Sequence, residues 1–99
     1  MLYVITAIDR PGQPERRQGA RDAHLAHLAE KSSMIRSAGP FLTESGDPCG
    51  SMLVIEAESL ASAQAFMDQD PYGPAGVFES VTIRPWRLTL GAGLEAKEL

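Results

Sequence analysis

Leu2-Tyr3-Val4-Ile5-Thr6-Ala7-Ile8, residues 2–8, decides how this chain folds. The run is rich in β-branched and aromatic residues, and Asp9-Arg10-Pro11-Gly12 ends it with turn chemistry, so it reads as a first strand. Alternation splits it into two rows, Leu2, Val4 and Ile8 on one side and Tyr3, Ile5 and Ala7 on the other, and both rows are apolar. A strand greasy on both sides belongs to a sheet covered on both faces, and the rest of the sequence has to supply the covers.

Downstream, the apolar spacing changes to a helical one from about Glu15 to Ile35, with Ala20, His24, Leu28 and Ile35 on one face and Ala23 and Leu25 flanking it. Pro14 suits the helix entrance, where its missing N–H costs nothing. A second strand is expected over Arg36 to Leu42, bent or placed at an edge by Gly39-Pro40. Thr43 to Pro48 reads as a loop, and Ser51 to Ala57 as a third strand. Ser59 is a good N-cap for a second helix over Leu60 to Asp68, with a buried stripe of Leu60, Ala63 and Met67. Val77 to Trp86 is the fourth strand, Val81 and Ile83 pointing inward and Phe78 and Trp86 on the opposite row.

The order β-α-β-β-α-β is the ferredoxin-like unit, an α+β fold with an antiparallel sheet. Two helices cover only one face of such a sheet. The second apolar face therefore needs another partner, and a homodimer joined sheet to sheet supplies it. One domain over residues 1–90 is expected, followed by a flexible tail over 91–99 with little to pack.

With 43% hydrophobic and 22% charged residues, the composition is that of an ordinary globular domain. A net charge of -4 and the absence of a Lys/Arg run give no footprint for nucleic acid. No apolar run reaches membrane-spanning length. Met1-Leu2-Tyr3-Val4-Ile5 has no basic leader pattern, and Cys49 is the single cysteine, so the expected address is the cytoplasm.

Chemistry concentrates in the first helix. Arg17, Arg21, His24 and Leu28 follow at spacings of four, three and four and form one row. Two cations and an imidazole make either an anion site anchored by Leu28 or a solvated basic stripe. His27 could pair with His24 at i, i+3, but no third ligand stands at a signature spacing, so neither metal nor cofactor is expected. Asp70 has two readings of equal weight. It is a carboxylate that orients a histidine for acid–base work, or it caps a turn whose next residue is Pro71. Tyr72 lines the same pocket or covers the sheet edge. Ser51 lacks the His/Asp context of a nucleophile.

Read in order, Arg21-Asp22-Ala23-His24-Leu25, Gly39-Pro40, Gly50-Ser51, Asp68-Gln69-Asp70-Pro71-Tyr72 and Ala75-Gly76-Val77 with Pro85 resemble the motif series of the YCII-related (YciI-like) family. The resemblance runs to about Arg87. It implies a dimeric α+β barrel and an active site whose histidine and aspartate map onto His24 and Asp70. Most members of that family have no established reaction. One relative is a dehalogenase of a chlorinated muconolactone, and related barrels include muconolactone isomerases and small monooxygenases.

Two functions follow as expectations. In the first, an enzyme acts on a small anionic organic acid or lactone by elimination, isomerisation or hydrolysis. His24 is then the acid/base, Asp70 its partner and Arg21 a carboxylate clamp, while Arg17, Ser51 and Tyr72 line the substrate site. In the second, the same groups hold a small ligand without turnover.

Overall fold

The computed structural model describes residues 1–94. Strand β1 (Leu2–Asp9) leads into helix α1 (Pro14–Glu30); β2 (Ile35–Leu42) and β3 (Pro48–Glu56) form a hairpin; helix α2 (Leu60–Asp68) precedes β4 (Phe78–Trp86). The four strands make one antiparallel sheet in the order β2-β3-β1-β4, as the ferredoxin-like pattern requires. The expected tail falls largely on residues 95–99, which lie outside the described residues.

The row Tyr3, Ile5 and Ala7 is the buried one, and β3 supplies Leu53 and Ile55 opposite Ile5 and Tyr3. Ala63, Phe66 and Met67 of α2 close over them, and Leu28 of α1 packs alongside. Burying a side chain of this size contributes about 1.5–3 kcal/mol, so these few residues dominate the fold's stability. The opposite face carries Leu2, Val4 and Ile8 with no helix of the described residues over it, and exposes Ile8, Met52 and Trp86 at 45%, 42% and 39%. No helix among the described residues is long and apolar enough to cross a membrane.

Four expectations need correction. Helix α1 stops at Glu30, not Ile35. Lys31 N–H donates to His27 O, a tight turn follows, and Ile35 pairs with Ile55 in the sheet. Ser32 and Ser33 are poor helix formers, and sheet pairing outweighs the helical spacing of Ile35. The third strand begins at Pro48, because the hairpin ladder runs on through Phe41↔Gly50 and Leu42↔Pro48. Gly50 is required there, since a Cβ would stand 2.5 Å from Ala7 O. In α2 the stripe is Ala63, Phe66 and Met67, while Leu60 is exposed. Helical side chains lean toward the N-terminus, so that of Leu60, at the first position, leans off the end of the packed surface.

Fourth, β4 carries a bulge beside the site. Ile8 pairs with Ser80 but Asp9 pairs with Phe78, so Glu79 is an extra residue in β4. Such a bulge reverses the alternation. Phe78 is thereby turned to the helix side, against the core cluster, instead of sharing a row with Trp86.

Candidate functional site

Helix α1 lies over the β2–β3 half of the sheet and encloses with it a cavity of about 450 Å³. The row Arg17, Arg21, His24 and Leu28 lines it from the helix. Pro40, Ser51 and Leu53 line it from the sheet, and Tyr72 comes from the loop after α2. The spacing of α1 thus puts four side chains into one wall, and Leu28 also anchors that wall to the core.

Asp70 is 1% exposed. Its Oδ1 accepts the Tyr72 backbone N–H at 3.0 Å and closes the Asp70-Pro71-Tyr72 turn, while Gly73 N–H donates to Asp70 O at 2.9 Å. The same carboxylate stands 2.9 Å (Oδ1) and 3.1 Å (Oδ2) from His24 Nδ1. A carboxylate only accepts, so His24 donates from Nδ1, and in the neutral ring the lone pair sits on Nε2. Turn capping and a histidine contact therefore coexist in one side chain.

The imidazole of His24 stacks on the Tyr72 ring, centroids 3.8 Å apart and planes within 8°. Phe78 meets the same ring edge-on at 5.8 Å, which the bulge in β4 makes possible. Arg17 Cζ lies 4.9 Å from the Tyr72 centroid, within range of a cation–π contact. Burial pushes the Tyr72 phenol above its ordinary value, an effect that Arg17 partly offsets.

Arg17 is tied down. Its Nε and Nη2 donate to Asp9 Oδ2 and Oδ1 at 2.8 and 2.9 Å, and Nη2 also reaches Gly50 O and Ser51 Oγ, each at 3.0 Å. The hydrogen bond to Asp9 raises the Arg17 value above its already high norm, against the opposing effect of burial. Arg21, by contrast, is exposed and makes no hydrogen bond or ion pair among the described residues, so its guanidinium remains available at the cavity. His27 turns away from His24, against Phe66 at 5.1 Å, with its buried Nε2 making no hydrogen bond among the described residues. The i, i+3 histidine pair does not form, and no group of three potential metal ligands occurs among the described residues.

In the sequence, Asp9 shows only turn chemistry, beside Arg10-Pro11-Gly12. Alternation along β1 was the available signal, because it places Asp9 on the row of Tyr3, Ile5 and Ala7, facing α1.

A family model for the YCII-related domain matches residues 1–87. Protein YciI of Escherichia coli O6:H1 is 42% identical, the match covering 88% of this chain and 97% of that protein. An uncharacterized protein of Haemophilus influenzae is 33% identical over the same shares. Among solved structures, 5-chloro-2-hydroxyhydroquinone dehydrochlorinase (TftG) from Burkholderia phenoliruptrix AC1100, in complex with 2,5-dihydroxybenzoquinone, superposes with a TM-score of 0.82. It is 36% identical, and the match covers 88% of this chain and 94% of that one.

Proposed function

The chain belongs to the YCII-related domain family, and on that premise we propose that it is an enzyme moving a proton on a small anionic organic acid, lactone or hydroxylated ring. The supporting observation is geometric: His24 Nδ1 is 2.9 Å from the buried Asp70 carboxylate, and the imidazole lines an apolar-walled cavity. Asp70 fixes the ring so that the Nε2 lone pair is free to accept a proton. A proton taken from a C–H beside a carbonyl leaves its electron pair to form the new double bond. Where a leaving group stands on the neighbouring carbon, it departs with its own bonding pair, and the products are the unsaturated compound, the free anion and a proton on His24. That elimination is the chemistry named for the dehydrochlorinase; isomerisation needs only that the proton return elsewhere.

Arg21, which makes no hydrogen bond or ion pair among the described residues, is the cation for the substrate's negative charge. Ser51 Oγ accepts from Arg17, so its own hydrogen is left to donate to a substrate oxygen. Tyr72 is the floor under His24, and Arg17 shapes the pocket through Ser51 and Tyr72. A second copy of the chain covers the open face bearing Ile8, Met52 and Trp86 and completes a dimeric barrel.

The test is to incubate the protein with 5-chloro-2-hydroxyhydroquinone and follow free chloride. Release that falls at least about a hundredfold in His24→Ala, within the range general acid–base groups supply, supports the reading. Tight binding of 2,5-dihydroxybenzoquinone with no turnover of any chlorinated substrate would favour a holding role instead.

A further inference from the structure

Tyr72 touches both a fixed cation and an imidazole, and both come from the same helix. Arg17 and His24 are two turns apart, about 10.5 Å along the axis at 1.5 Å per residue. The Tyr72 ring lies 4.9 Å from Arg17 Cζ and 3.8 Å from the His24 centroid, and so links the two side chains. Phe78 closes one edge, and Asp70 Oδ1 holds the Tyr72 backbone N–H. The guanidinium, in turn, is locked in its plane by the two-point contact with Asp9, and both side chains of that pair are largely buried, at 14% and 16% exposure. A planar fork gripped at two points has little rotational freedom left.

We propose that Asp9 and Arg17 are positioning residues for His24, acting through Tyr72. The inference rests on the reading of His24 as the proton-transferring group. Asp70 fixes which edge of the imidazole faces the protein, but one hydrogen-bonded edge still leaves the ring free to rock about that contact. The Tyr72 face removes this freedom. For the imidazole to tilt, Tyr72 must move, and Tyr72 is in contact with a guanidinium held by Asp9, Gly50 O and Ser51 Oγ. Asp9 also sits at the point where the β4 bulge turns Phe78 inward, so the end of β1 secures two sides of the same ring. Functional groups are held to sub-ångström tolerance by a supporting layer of this kind.

The free protein suffices for the test, so its outcome is independent of any turnover. A ring stacked in parallel at this distance shields the Cδ2–H and Cε1–H of His24, and their NMR resonances report the stack. Tyr72→Leu gives the unshielded position. The chain's other histidine, His27, packed on Phe66, is the internal control. Asp9→Asn keeps the shape and removes the charge, whereas Arg17→Lys keeps the charge and removes the fork. In both, the His24 resonances are expected to move at least half-way to the Tyr72→Leu position, with those of His27 unmoved. His24 resonances that stay at the wild-type position in both folded variants would overturn the proposal and leave the pair as a tie between β1 and α1. Equal displacement of His24 and His27 would also overturn it, because that marks general loosening. Should Asp9→Asn fail to fold, Arg17→Lys decides alone. Failure of the acid–base reading would show differently, as chloride release or proton transfer indifferent to His24→Ala while the stack signature persists.

Discussion

Replacing Asp70 by alanine removes the acceptor of two buried donors, His24 Nδ1–H and Tyr72 N–H, from a position 1% exposed. Each stranded donor costs about 1–3 kcal/mol. His24 has a partial escape, because its proton can move to Nε2, and the adjoining cavity admits water to the vacated space. The expected loss is therefore about 2–4 kcal/mol, toward the lower end of two full penalties. Asp70→Asn keeps an oxygen for the Tyr72 N–H and loses only the charge-assisted part of the histidine contact, about 1–2 kcal/mol. Urea unfolding of the two variants and the parent, at one fixed protein concentration so that association does not enter the comparison, reads both numbers. A native state is stable by only about 5–15 kcal/mol, so the alanine variant should show a clearly lower midpoint. A cost below about 1 kcal/mol for alanine, or an asparagine variant as damaged as the alanine one, would refute the assignment of both donors to this carboxylate.

Arg21→Ala should weaken binding of small carboxylates or of 2,5-dihydroxybenzoquinone by about 1.5–3 kcal/mol without lowering stability; isothermal calorimetry on the folded variant checks it, and unchanged affinity would return Arg21 to the solvent surface. The Tyr72 phenol is raised above 10.0 by burial, so it binds its proton more tightly folded than unfolded. Its contribution is full below pH 10 and is lost as pH rises through the folded value. Tyr72→Phe should accordingly flatten the fall in stability above pH 10, and a fall as steep as the parent's would contradict this. Sheet-to-sheet pairing should bury about 1,200–2,000 Å² in total and give a dimer by light scattering at micromolar protein; Ile8→Asp, on the open face, should shift it to monomer.

Element order was legible because each segment carries a plain signal: residues 2–8 are rich in β-branched and aromatic side chains, 59–68 open on a serine cap, and Gly and Pro punctuate the joins. Ser59 Oγ accepts from Ser62 N–H as an N-cap should. What was not legible depends on pairing between distant segments. The helical spacing of Ile35 is real, yet its sheet partner Ile55 is twenty residues away. Phe78 follows alternation on paper, and only the unmatched Glu79 opposite β1 turns it over. In the cavity, the row Arg17, Arg21, His24 and Leu28 was visible as helix geometry. The difference between Arg17 and Arg21 was not, because it lies in Asp9, a residue whose place at a strand end looked like turn chemistry. Asp70 had two readings because capping and orienting use different lone pairs of the same carboxylate.

The most direct test of the central claim is proton transfer itself. Small hydroxylated quinones, lactones and keto acids incubated with the protein in D2O would be followed by NMR for deuterium entering a carbon beside a carbonyl. Wild-type protein should catalyse incorporation into at least one of them, and His24→Ala should slow it by about a hundredfold or more. Asp70→Asn should slow it too, and the double variant should lose little beyond the worse single one, as residues acting as a unit do. Incorporation that proceeds equally well in His24→Ala, or none with any of these compounds despite saturable binding, would contradict the account.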